Sequence, residues 1–180
     1  RLAAPRPRAV GDDAEGPLMA FERVKRTRRG EFQIRLPAAE RELLRALPEQ
    51  LREVLTSGDP TTDSALRRLF PAATLDDDSM NAEYERLTRG DLLEERLAAL
   101  DTMERTLDAE RLSEEELVAW LSAINDLRLV IGVRLDVTEE TTVEDFSALP
   151  DDDPAVHMYT LYSYLTFLED HVVGALSASR

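Results

Sequence analysis

The period of the hydrophobic pattern changes once along the chain. Phe32, Ile34 and Leu36 alternate with Gln33 and Arg35, and TRRG at 27–30 supplies a glycine-containing turn, so 21–36 reads as a β-hairpin. After Pro37 the period becomes helical. Leu44, Leu47, Leu51, Val54 and Leu55 hold one phase as far as Ser57 and Gly58, with Pro48 inside it, which leaves one kinked helix or two short ones. A loop, SGDPTTD, precedes a short amphipathic piece, SALRRLF (64–70), which Pro71 ends. The acids of LDDDS (75–79) open a long helical pattern carried by Leu87, Leu92, Leu93, Leu97, Leu100, Met103 and Leu107, with a break expected at Gly90. Ser113 and Glu116 form an S-x-x-E capping box directly before an apolar helix expected over about 113–136. Residues 138–153 read as a polar, acidic connection, and a last helix is expected from about Pro154 to Leu176.

These elements predict a mostly α fold, a helical bundle around a central buried helix (about 113–136) with a small N-terminal β-hairpin. Residues 1–18, rich in Pro, Gly, Ala and charge, read as a disordered extension. Residues 19–180 read as a single domain, hairpin 21–36 and bundle 37–177, with Met19 the expected natural start.

The central helix is apolar all round, yet it carries Asn125, Asp126 and Arg128 within four residues. At about 100° per residue, Arg128 projects within roughly 20° of Leu117 and Leu135, Asn125 lies to one side near Gly132, and Asp126 points nearly opposite. A guanidinium on a buried face needs a carboxylate or several carbonyls as partners, and Asp126 is badly placed to serve. Glu169 and Asp170 on the last helix, or Asp91, Glu94 and Glu95 on the preceding one, are the candidates. The structural reading, a polar network of Asn125, Asp126 and Arg128 that fixes helix register, outweighs an anion-binding or catalytic cleft at Arg128.

Charge narrows the function classes. A net charge of −15 opposes an extended surface for nucleic acid or anionic membrane. The exception is a basic island, Arg23, Lys25, Arg26, Arg28 and Arg29, which on a hairpin touches phosphate as a wing, blocks edge-to-edge aggregation, docks on an acidic protein partner or clasps the acidic loop of the same chain. The acidic stretch EETTVEDFSALPDDD (139–153) sets Phe146 and Leu149 among seven acids and no bases. It either docks on a basic partner or packs back through its apolar residues, the second being favoured. Tyr164 is a further candidate for an interface, because the aromatic residues of the last helix cannot all face one core stripe.

No cysteine is present, which removes thiolate metal sites, cysteine nucleophiles and thiol switches. His157 and His171 lie about 21 Å apart along one helix and cannot share a metal. No phosphate-cradling or nucleophile-elbow motif occurs, so no cofactor is expected. Nor does any apolar run reach the roughly 18–20 residues of a membrane span. The N-terminus carries no apolar signal region, which makes the cytoplasm the default location.

The central stretch WLSAINDLRLVIGVRL (120–135), together with FERVKR (21–26), ALRRLFP (65–71) and YSYLTFLED (162–170), resembles the actinobacterial AosR-type oxidative-stress regulators, a family long described only as a domain of unknown function. The resemblance covers most of the chain from Met19 on. It implies a cytoplasmic regulatory protein that contacts a sigma factor or the transcription machinery, without catalysis, and it brings no catalytic residues with it. A direct DNA-binding regulator using the basic hairpin 23–29 is the alternative, and a small-ligand or enzyme site around Arg128 ranks third.

Overall fold

The computed structural model of the protein describes residues 22–60, 62–70 and 78–178, with 78–88 described as backbone alone. The expectations for 1–18, Met19, Pro71 and residues 75–77 fall outside this range. Among the described residues the architecture is mostly α, seven helices with one small antiparallel sheet.

Strands β1 (Val24–Arg26) and β2 (Phe32–Ile34) form the hairpin, with Val24 opposite Ile34 and Arg26 opposite Phe32. The Thr27 amide donates to the Glu31 carbonyl at 2.7 Å, and Gly30 adopts φ 86°, a left-handed conformation that favours glycine. The hairpin does not stand alone. A two-residue strand β3 (Arg111–Leu112) pairs with β2, placing Leu112 opposite Phe32. Its inner side chains, Val24, Phe32, Ile34 and Leu112, are buried in the helical core.

The pattern over 38–57 resolves into two helices, α1 (Ala38–Arg45) and α2 (Leu47–Ser57). Pro48 sits in the first turn of α2, where the missing N–H has no helical acceptor to lose. Helix α3 (Ser64–Leu69) starts on Asp63, whose carboxylate accepts the Ala65 amide at 2.8 Å. Helix α4 (Asp78–Thr106) runs through Gly90 without the expected break. An exposed helical glycine costs only about 1 kcal/mol, too little to end a helix held by the packing of Leu100 and Met103.

Helix α5 (Glu114–Arg134) is the central element, packed against α4 and α7 and touching α2 and α3. The capping box forms as the sequence indicates, Ser113 Oγ accepting the Glu116 amide at 3.1 Å and Glu116 accepting the Ser113 amide at 3.0 Å. At the other end the Val137 amide bonds the Gly132 carbonyl and the Asp136 amide bonds that of Val133, with Asp136 at φ 54°. This Schellman arrangement stops the helix. Leu117, Trp120, Ile124 and Leu127 are buried along it, and the Trp120 indole donates to Thr106 Oγ1 at 2.8 Å.

The acidic connection contains a short helix that its polar composition hides, α6 (Val143–Ser147). Asp145 accepts the Thr142 amide at 2.8 Å, and the Phe146 ring stacks on Tyr159 with centroids 4.0 Å apart. Helix α7 (Pro154–Ser177) begins on Asp153, which accepts the Ala155 amide at 2.8 Å, and covers α5 and β1.

The two glycines of opposite setting make a paired prediction. A Cβ at Gly90 meets no atom within 4 Å, so Gly90→Ala is expected to raise stability by about 0.5–1 kcal/mol. A Cβ at Gly58 would lie 2.4 Å from Leu66 Cδ1 and 2.6 Å from the Val54 carbonyl oxygen, so Gly58→Ala lowers it. Urea unfolding of the two variants measures both signs.

Candidate functional site

Several ion pairs join elements that are distant in sequence, and three clusters of them hold the candidate residues. In the first, the Arg23 guanidinium grips Glu40 on α1, Nη2 to Oε1 at 2.6 Å and Nε to Oε2 at 2.9 Å, while the Tyr164 hydroxyl donates to the same carboxylate at 3.0 Å. Arg23 also lies over the Phe167 ring and is only 3% exposed. Arg23 and Tyr164, both candidates for surface contact by their residue type, thus face inward. The physical reason is that α7 packs on β1, covering the face of the hairpin that the charge pattern suggests is open. The Glu40 hydrogen bond raises the Arg23 pKa against the effect of burial. Burial, and secondly the Glu40 charge, push the Tyr164 hydroxyl far above the tyrosine range.

The polar trio of α5 is not one network. Asp126, 2% exposed, pairs with Arg96 of α4, which also donates to the Leu69 carbonyl at 2.7 Å and lies over the Phe70 ring. Burial raises the Asp126 pKa, with Arg96 pulling it back in the other direction. On the opposite side Arg128 pairs with Glu169 of α7, donates to Thr166 Oγ1 at 3.0 Å and stacks over Tyr162. Side chains two residues apart project about 200° from each other on a helix, so the two charges are tied to different neighbours. Asn125 makes no side-chain hydrogen bond among the described residues. No signal in one sequence singles out Arg96 or Glu40 among the many charged residues of their helices.

Asn125 and Arg128 instead open on a cleft of about 430 Å³ where α3, the C-terminal half of α5, the turn after it and Tyr162 meet. Arg68 enters from α3, and Asp136 and Thr138 line the turn. Gly132 makes room for the aromatic wall, because a Cβ there would lie 3.3 Å from Tyr162 Cε2.

The rest of the basic island is distributed unevenly. Lys25, Arg28 and Arg29 are exposed, with Lys25 near Glu22 at 3.9 Å, whereas Arg26 is half-buried over the Phe32 ring. Phe146 anchors the acidic segment through its stack on Tyr159 and is half-buried, leaving Val143 and Leu149 as the exposed apolar side chains there.

A family model described as a domain of unknown function, DUF2017, matches residues 20–176. The chain belongs to the DUF2017 family. Among curated relatives, the oxidative stress regulators AosR of Mycobacterium tuberculosis strain H37Rv and of Mycobacterium bovis are each 32% identical, across 68% of this chain and 61% of the relative. A Mycobacterium leprae protein of the same AosR designation is 31% identical across 62% of this chain and 52% of its own length. The chain therefore spans between half and two thirds of the relatives it matches. No solved structure matches it. The resemblance carried by the central helix and its companion motifs holds, and the curated relatives that the chain matches are named as oxidative stress regulators.

Two predictions follow from the clusters. A Tyr164 pKa above its ordinary value of 10.0 means that the unfolded chain releases this proton first. The stabilisation is therefore complete below pH 10 and is lost as pH rises from there toward the folded-state value. Tyr164→Phe is expected to cost about 1 kcal/mol at neutral pH, by loss of the bond to Glu40, and to flatten the alkaline fall of the unfolding free energy. For the third cluster, the Arg128 and Glu169 side chains retain 23% and 17% exposure. Arg128→Ala should cost about 2–3 kcal/mol, less than for a fully buried pair, and replacing Glu169 by Met in addition should recover part of it. Chemical unfolding of the double-mutant cycle measures the coupling.

Proposed function

We propose that this chain is a non-catalytic regulatory protein that works by protein–protein contact in the cytoplasm, its partner being the transcription machinery, with a sigma factor as the class the AosR-type resemblance implies. Membership of the DUF2017 family, with relatives named as oxidative stress regulators, carries this reading. The geometry supports it in a second way. The buried carboxylates of Glu40 and Asp126 are each bound to a guanidinium that joins two elements, an arrangement suited to holding a scaffold. Among the described residues no helix is long and apolar enough to cross a membrane. With no cysteine in the chain, any oxidative signal reaches these residues by a route other than their own thiols.

The exposed Lys25, Arg28 and Arg29 favour a second reading, direct contact with DNA through the hairpin turn. One titration series separates the two. The chain is immobilised and offered, in turn, the purified sigma factors of its own cells, core RNA polymerase and duplex DNA. Retention of one sigma factor, undiminished in an Arg28→Gln/Arg29→Gln variant, is the expected result. DNA retention at ~50 mM salt that falls steeply with added salt and vanishes in that variant would replace it with the DNA-binding reading.

A further inference from the structure

The cleft beside Arg128 has the features of a ligand site. Its volume of about 430 Å³ falls within the range of small-molecule pockets, roughly 300–1,000 Å³. Its charges are unevenly satisfied. Arg128 is balanced by Glu169, whereas the exposed Arg68, the penultimate residue of α3, pairs with no carboxylate among the described residues. Asn125 is half-buried beside it with its amide donors and acceptor unmatched by any described side chain or carbonyl. A half-buried amide without a protein partner is satisfied by water or by a ligand. A guanidinium and an amide on adjoining walls match a carboxylate. From there the floor becomes apolar, with Leu129, Gly132 and Val133 following along α5. Asp136, in the turn that stops α5, also lines the cleft, and its carboxylate disfavours a second negative charge.

We propose that this cleft binds a small organic monocarboxylate, its charged end against Arg68 and Asn125 and its apolar body over Gly132. The site also has a route to the protein's acidic surface. Val137 and Thr138 form the cleft wall and lead directly into segment 139–153. Tyr162, which also lines the cleft, is stacked at 6.3 Å on Tyr159, which holds Phe146 at 4.0 Å. An occupant that fixes both walls holds both ends of the path to α6, so binding slows hydrogen exchange over Val143–Leu149. Only the consequence for partner contact rests on the regulatory reading. Ligand binding is measured on the chain alone, so failure of one leaves the other standing.

The test uses the full chain, labelled with nitrogen-15, titrated separately with octanoate, octanamide, octanedioate and inorganic phosphate. The expected result is saturable movement of the Gly132 and Val137 amide resonances with octanoate, with the other three compounds much weaker. Arg68→Gln should weaken octanoate by about tenfold. Arg67→Gln, an exposed neighbour on the same helix that does not line the cleft, should leave it unchanged. Equal response to the amide and the acid, stronger response to phosphate or octanedioate, unaltered affinity in Arg68→Gln, or no response at all would each overturn the assignment. Hydrogen exchange at Val143–Leu149 that is indifferent to saturating octanoate would overturn the link to the acidic segment.

Discussion

A helix that is apolar around its whole circumference has to be covered from every side, and α5 imposes that condition on the remainder of this protein. Leu117 and Ile124 are buried on one side and Asp126 and Val130 about 120–180° round from them, so α4 and α7 flank the helix while α2 and α3 close the remaining surface. Helices α2 and α3, 11 and 6 residues long, are too short to be stable alone, and their helicity depends on packing. The capping box at Ser113 and the Schellman turn at Asp136 set the length of the helix, and with it the span that the others must cover.

Charge settles the register that burial leaves free. Apolar contact is non-directional, and a helix can slide or rotate on it at small cost. The pairs Arg96 with Asp126 and Arg128 with Glu169 fix the rotation of α5 against α4 and α7 from opposite sides. Glu40, shared by Arg23 and Tyr164, ties the hairpin to α1 and α7. Desolvation offsets much of the attraction in such pairs, so their net contribution to stability is small. What they penalise strongly is any arrangement that leaves one member buried alone.

The surface divides along the same lines. Basic side chains from the turn of the hairpin remain exposed, while Arg23 from the same cluster is withdrawn into the interior. The acidic segment 139–153 is held by one aromatic stack and presents Val143 and Leu149 outward. Its first residues adjoin the Arg128 cleft, so the acidic segment and a polar recess share a wall.

Local pattern by itself determined the mostly α class, the hairpin, the position and cap of the central helix and the start of α7 at Pro154. Those features depend on period, glycine and proline geometry and capping chemistry, all of which act within a few residues. The same pattern leaves Gly90, β3 and α6 undetermined. A helix interior tolerates glycine when packing holds it, a two-residue strand exists only through its partner, and α6 is anchored by a ring from another helix. The trio on α5 shows the division most sharply. Helical phase places Asp126 and Arg128 on opposite faces, but it gives no reason why Arg96 and Glu169 should meet them. Only tertiary structure brings those groups together, along with Arg68 and Asn125 across the cleft, because ion pairing over tens of residues is decided by which helices pack and in what register.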